Sequence, residues 1–347
     1  MRAPCGSASS VLDAGPASHS GLVLALQANF CQVGLDQVGP HGGSRLLCTR
    51  RTRLGKSGQR ICVGDRVRVE AIDWAAGRGA IAALEPRTNL LPRPAVANVS
   101  RIVVVAALRE PGLDPLQLTR FLVTAEASGP AVQVVLSKAD LAPPREVADW
   151  IERLRGWGYP VQAVSASGGL GIDELRHSLA QPGIVVLCGP SGVGKSSLLN
   201  ALRPGLELRT AAVSGRLRRG RHTTRHVELF RLGPALVADS PGFNRPELPE
   251  DPSCLERFFP ELRSRLGQRP CRFRNCRHLG DPGCGMDAPW DRQEIYAHCL
   301  VELEQDRLSG RSRTEPQHQL DPQLRRGSRR RDRQRIEADV EEDAPGT

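Results

Sequence analysis

The sequence has 347 residues, more than one hydrophobic core usually serves, and 39% of them are hydrophobic, enough for globular cores. Lys and Arg number 48 against 38 Asp and Glu, and the net charge of +10 favours a polyanionic partner such as nucleic acid. No run approaches the ~20 apolar residues of a membrane span, and Met1 to Ser20 lacks the apolar stretch of a signal peptide, so no membrane partner and a cytoplasmic location are expected.

Residues 1–20, rich in Ala, Gly and Ser, read as disordered. Residues 21–95 read as a β-barrel domain. Leu22 to Leu26, Ser44 to Arg50, Arg66 to Glu70 and Gly79 to Leu84 are short candidate strands, with Val63-Gly64-Asp65 as a turn. Arg45, Arg50, Arg51, Arg53, Lys56, Arg60, Arg66 and Arg68 give that barrel a basic surface. The pattern changes in residues 96–248. Apolar runs at Ile102 to Leu108, Val132 to Leu136, Val161 to Val164 and Ile184 to Leu187 alternate with helical stretches at Leu116 to Ala127, Arg145 to Arg155 and Ile172 to Leu179. Strand alternating with helix predicts a parallel, doubly wound α/β sheet.

Gly189-Pro190-Ser191-Gly192-Val193-Gly194-Lys195-Ser196 fits the phosphate-binding loop, with a buried strand before it and a helix starting at Ser197. Its backbone amides are suited to cradle phosphate. Lys195 reaches the β- and γ-phosphates as a catalytic contact, and Ser196 ligates the Mg²⁺ that accompanies the nucleotide. Ala235 to Ala238 leads into Asp239-Ser240-Pro241-Gly242, where Asp239 can hold Mg²⁺ through water and Gly242 can meet the γ-phosphate. Ser137-Lys138-Ala139-Asp140 follows a strand and approximates the motif that reads guanine. The Asp140 carboxylate accepts from N–H groups that adenine lacks, and the Lys138 stem covers the ring. Ser165-Ala166, after the next strand, closes the pocket. Loops at the ends of parallel strands are where such sheets bind ligands.

The base-reading motif precedes the phosphate loop, so the motifs run in circularly permuted order. The basic segment Leu217 to Thr224 holds the first-switch position, and Thr223 or Thr224 supplies a second Mg²⁺-linked hydroxyl. Phe243 stands where a water-orienting Gln is usual and cannot polarise water, which predicts slow intrinsic hydrolysis unless a group such as His222 enters. Two other classes remain possible: an RNA-binding chaperone gated by nucleotide, and a P-loop kinase or ATPase, against which the guanine-type motif argues.

Residues 249–308 are charged and cysteine-rich. Cys271, Cys276, His278 and Cys284 offer three thiolates and an imidazole from one loop, the donor set of one structural Zn²⁺. Residues 309–347, with Arg329-Arg330-Arg331 and an acidic end, read as a disordered tail.

Residues 21 to 305 resemble the RsgA (YjeQ) family of small-ribosomal-subunit-dependent GTPases. The likeness rests on the Val63-Gly64-Asp65 barrel, Asn89 to Arg93, Ala97-Asn98-Val99, the permuted SKADL and GPSGVGKSSLLN motifs, GRHTT, DSPGF and the Cys-Cys-His-Cys loop. It implies an N-terminal OB-fold, a permuted central GTPase domain and a mostly helical, zinc-bearing C-terminal domain. It implies hydrolysis of GTP to GDP late in small-subunit maturation, stimulated by the subunit, with binding to its rRNA and a catalytic role for His222. A monomer is expected. Ser137 departs from the Asn usual in the family, which predicts weaker hydrogen bonding in the guanine pocket.

Overall fold

The computed structural model describes residues 18–27, 29–39, 42–51, 60–92, 94–204, 227–239, 246–286 and 288–309. The chain separates into two units, Met1–Gln305 and Asp306–Thr347, and the second is described only over 306–309.

The first strands alternate inward apolar and outward polar residues. β1 (His19–Leu26), β2 (Cys31–Leu35), β3 (Arg45–Arg50), β4 (Arg66–Asp73) and β5 (Arg78–Leu84) close into a barrel in the order β1-β2-β3-β5-β4. Its core is Val23, Cys31, Val33, Leu46, Cys48, Ile61, Val67, Val69 and Ile81. The outward arginines are partly neutralised. Arg66 pairs with Asp36 and Glu85, and Arg51 with Glu70. Arg53 and Lys56 lie outside the described residues.

Asp65 explains the turn between barrel strands. Its buried carboxylate takes the Arg87 guanidinium in two bonds, 2.6 and 2.8 Å, and accepts from the Cys62 amide at 2.7 Å. Gly64, at φ 85°, lets the backbone close on the next segment, because a Cβ there would stand 2.2 Å from the Ala97 carbonyl oxygen. That segment is a small hairpin, β6 (Leu90–Pro92) with β7 (Ala95–Ala97). Asn89 brackets Val99 through both ends of its amide, and Asn98 donates to the Gly64 carbonyl. Two asparagines thus join the barrel to the first strand of the next sheet.

Continuous apolar runs then form strands buried on both faces. The second sheet runs β10 (Val161–Ala163), β9 (Ala131–Ser137), β8 (Val99–Ala107), β11 (Gly183–Cys188), β13 (Ala235–Asp239), β12 (Leu229–Leu232). All neighbours are parallel except β12 with β13. Helices α1 (Pro115–Ala127), α2 (Pro144–Gly156), α3 (Ile172–Leu179) and α4 (Lys195–Leu202) supply the crossovers. Asp114 caps α1 by accepting from the Leu116 and Gln117 amides. From β8 the chain winds outward to β9 and β10, and from β11 it winds the other way to β13. The order therefore reverses between β8 and β11, and a crevice opens there at the C-terminal strand ends.

Residues 246–308 add a third layer: a short 3₁₀ turn (Pro252–Phe258), α5 (Pro260–Gln268), the cysteine loop and α6 (Gln293–Leu308). Its core of Leu255, Phe259, Leu262, Trp290, Tyr296 and Leu300 includes Val123 of α1. Arg292 is fully buried, bonds Glu261 twice at 2.7 and 2.5 Å, and lies 4.5 Å from the ring centroids of both Trp157 and Phe259. Asp291 accepts from the Trp157 indole at 2.6 Å and from Arg153, while Arg120 pairs with Glu302 and Arg263 with Glu126. No described helix is long and apolar enough to cross a membrane.

Candidate nucleotide pocket and metal centre

The loop after β11 is a backbone cradle. Gly189 (φ 138°) lies against β8, where a Cβ would sit 2.1 Å from the Val105 carbonyl oxygen, so only glycine fits. Gly192 and Gly194 also take positive φ, turning the chain into α4, whose first residues are Lys195 and Ser196. The N-terminus of α4, the positive end of its dipole, therefore follows directly on the loop, the arrangement that receives phosphate. The Lys195 ammonium donates to the Gly189 and Pro190 carbonyls at 2.8 and 2.9 Å, over the mouth of the loop.

Two neighbouring loops converge on this cradle. Ser137 ends β9 and is 4% exposed. Its hydroxyl lies 2.6 Å from the Val193 carbonyl and 3.1 Å from that of Ala106, so it ties the base-reading loop to the phosphate loop and to β8. The side chain is spent on main-chain carbonyls rather than aimed into the pocket. Lys138, at φ 52°, extends across Gly194 and donates to the Glu110 carbonyl. Ala139 fixes the turn through its amide, which donates to the Val164 carbonyl at 3.0 Å. Asp140 is exposed. The hydroxyls of Ser165 and Ser167 hold its carboxyl below the usual carboxylate range, with the Ser165 bond the larger cause. Ser165 itself is buried, and its hydroxyl accepts from the Gly168 amide at 3.0 Å, which shapes the Ser165-Ala166 turn beside Asp140. The structure thus brings residues 137–140, 165–166 and 189–197 to one sheet edge.

Asp239 ends β13, paired in register with Leu187 just before the cradle. Gly242, His222, Thr223 and Thr224 lie outside the described residues. Motif reading missed Ser167, whose hydroxyl reaches Asp140 at 3.3 Å, and Glu110, whose carbonyl anchors Lys138. The small polar run Ser165 to Gly169 was a signal for the first. Nothing local signals the second, because a carbonyl contact depends on the fold alone.

In the cysteine loop, the ligand atoms of Cys271, Cys276, His278 and Cys284 all lie within 4.8 Å of one another. Cys271 Sγ is 3.4 Å from His278 Nδ1 and 4.0 Å from Cys284 Sγ, and Cys284 Sγ is 3.8 Å from the same nitrogen. Tetrahedral zinc with bonds of about 2.0–2.3 Å places donors about 3.4–3.8 Å apart, so the separations of 3.4, 3.8 and 4.0 Å lie close to what the metal needs, with a small contraction to close the set. His278 adopts φ 60°, a strained conformation for a β-substituted residue that aims Nδ1 at the sulfurs. The Gly285 and Met286 amides donate to Cys271 and Cys284 Sγ at 3.2 and 3.3 Å, which fixes the two sulfurs in place. Asp281, which the sequence reading overlooked, accepts from the Arg277 amide at 2.9 Å and braces the turn that carries His278. Burial and the neighbouring thiols push Cys276 up to about 12, a penalty that a bound cation would remove. Four donors leave no open position, which suits a structural metal.

Residues 84–249 match the model of the RsgA GTPase family. A small ribosomal subunit biogenesis GTPase RsgA from a Synechococcus sp. is 58% identical over 296 residues, covering 85% of this chain and 96% of the relative. Among solved structures, YjeQ from Thermotoga maritima superposes with a TM-score of 0.70 at 32% identity, covering 83% of this chain and 99% of that one. YloQ, described as a circularly permuted GTPase, gives 0.69 at 27% identity, covering 85% of this chain and 98% of its own. A barrel ahead of a reordered nucleotide-binding sheet, and a Cys₃His loop behind it, are what this likeness spans, and the chain belongs to the RsgA GTPase family.

Proposed function

We propose that this protein is a monomeric cytoplasmic GTPase that binds the small ribosomal subunit through rRNA late in its maturation and hydrolyses GTP to GDP and phosphate when the subunit stimulates it. The observation that carries the proposal is the convergence of Asp140, the Ser165-Ala166 turn and the Gly189–Ser197 cradle at the β8/β11 reversal. The names of the relatives, which are GTPases of small-subunit biogenesis, supply the partner.

In this reading Asp140 accepts from the two N–H donors of guanine while Lys138 lies along the ring. The amides of Gly192 to Ser197 and the Lys195 ammonium take the β- and γ-phosphates, so negative charge developing on the oxygens in the transition state meets fixed donors. Ser196 and Asp239, with Thr223 or Thr224, would hold Mg²⁺, which neutralises phosphate charge when bound. Gly242 senses the γ-phosphate, and His222 supplies the polar group at the attacking water that Phe243 lacks. One structural Zn²⁺ would be held by Cys271, Cys276, His278 and Cys284.

GTP turnover measured with and without purified small subunits tests the reading. Slow turnover alone and at least about tenfold faster turnover with subunits is the expected result. Equal rates would remove the ribosomal assignment and leave a bare GTPase.

A further inference from the structure

Aromatic residues make up only 4% of the sequence, and those described are buried or half-buried with one exception. Among the described residues, Phe273 is the one aromatic in the set of exposed large hydrophobic side chains, at 52% exposure. It sits between Arg272 and Arg274 on the cysteine loop, inside the span from Cys271 to Cys276. The Arg272 guanidinium lies 5.5 Å from the Phe273 ring centroid. No carboxylate among the described residues pairs with Arg272 or Arg274, whereas Arg277 in the same loop is paired with Glu304 at 2.7 Å. The backbone under the ring is fixed at both ends: the Arg272 amide donates to the Gly283 carbonyl at 2.9 Å, and the Cys276 amide to the Phe273 carbonyl at 3.4 Å.

An open ring leaves apolar surface in water, and covering it with a partner recovers that free energy. A rigid aromatic face flanked by unpaired guanidinium groups matches one ligand chemistry, an unstacked nucleobase with phosphates on either side. The ring gives a sequence-tolerant stacking surface, and the arginines give charge and further stacking. A duplex, whose bases are already stacked, offers the ring nothing.

We propose that Phe273, with Arg272 and Arg274, is a stacking site for an unpaired RNA base. The site places single-stranded RNA on the C-terminal domain, away from the nucleotide pocket, and rests on the ribosomal reading above only for where that RNA comes from.

The test uses the full chain with a 12-nucleotide oligouridylate and a 12-base-pair RNA duplex as probes, followed by anisotropy across salt. Phe273→Ala and Phe273→Leu are expected to weaken oligouridylate binding roughly tenfold, and Phe273→Trp to hold it within about twofold. Duplex binding is expected to be unchanged. Arg272→Gln with Arg274→Gln should lessen the log–log salt slope by about 1.4, near 0.7 for each phosphate contact. Zinc content and subunit-free GTP turnover equal to wild type show that each variant is folded. Wild-type oligouridylate affinity in Phe273→Ala overturns the proposal, as does full retention by Phe273→Leu, since a leucine cannot stack. If Phe273→Ala binds oligouridylate normally yet loses stimulation by subunits, the face docks on protein and the RNA assignment is wrong. A wild-type chain that small subunits fail to stimulate defeats the ribosomal reading alone, because the oligouridylate comparison still reports on Phe273.

Discussion

The candidate metal centre draws its four potential donors from one loop, Cys271 to Cys284, whereas the candidate nucleotide pocket gathers its groups from the ends of β9, β10 and β11, spread over residues 137–197. The first is built of side chains and a strained backbone at His278. The second is built largely of main chain, with side chains such as Ser137 and Lys138 spent on holding carbonyls in place. A site that draws on one loop leans on its ligand, because a bound cation would offset three crowded thiols more strongly than the two amide contacts do. A site that draws on a sheet edge is formed by the apolar packing beneath it, here Val103, Val105, Val185, Leu187, Leu198 and Leu199. The two sites should therefore respond in opposite ways to the loss of what they bind.

Chelation gives the largest effect. Removing the metal should unfold residues 249–308 locally, because the free energy of a structural zinc site, about 10 kcal/mol or more in small domains, is folding free energy. GDP affinity should stay within about threefold, since the pocket has its own core. Circular dichroism and fluorescent-GDP titration on the same chelated sample check both halves, and equal loss of the two would erase the distinction.

Arg292 sharpens the comparison at the joint between the two regions. Its guanidinium is fully buried against Trp157 and Phe259, and its Nη1 has no hydrogen-bond partner among the described residues, so the aromatic faces take that charge. Arg292→Ala leaves the Glu261 carboxylate uncompensated and should cost about 3–5 kcal/mol, read from denaturant midpoints. A loss under about 1 kcal/mol would mean that the C-terminal layer is held by apolar packing alone.

Ser137→Ala removes the tie between the base-reading and phosphate loops. It should cost about 1–2 kcal/mol, the penalty of leaving a buried carbonyl without its donor, and weaken GTP and GDP alike. Selective loss of guanine over other bases would instead place the Ser137 hydroxyl on the base.

The smallest effect is a predicted constancy with pH. The Asp140 carboxyl is held below its ordinary value, first by the Ser165 hydroxyl, so its charged form persists as pH falls and is lost only below the usual carboxylate range. The Asp140 contribution to GDP affinity should thus be flat from pH 8 to about 5. Ser165→Ala should move the acid fall upward, toward the ordinary value.

The alternation of apolar runs made the central sheet legible, and the spacing of Cys271, Cys276, His278 and Cys284 made their clustering legible, because both patterns are local. The barrel closure of β3 with β5 and the Asn89–Asn98 joint were not, since parallel pairing and amide brackets depend on residues that only the fold brings together. Arg292 read as one more arginine in a basic segment. Its burial follows from Trp157 and Tyr159, more than 130 residues earlier in the chain. Ser137 read as a weaker base contact in place of Asn. Its bond to Val193 becomes visible only when β9 and β11 are seen on either side of β8.

The central claim is that a permuted motif order still yields a guanine-selective pocket, and it rests on Asp140. The most direct measurement is the affinity of the wild-type chain and of Asp140→Asn for GDP, ADP and xanthosine diphosphate. The wild type should prefer GDP over ADP by about 100-fold or more, since guanine presents two donors to a carboxylate and adenine presents none there. Asp140→Asn should lose about 2–4 kcal/mol of GDP binding and gain xanthosine diphosphate. Equal affinity of the wild type for GDP and ADP, or an Asp140→Asn chain with unchanged nucleotide preference, would contradict the account.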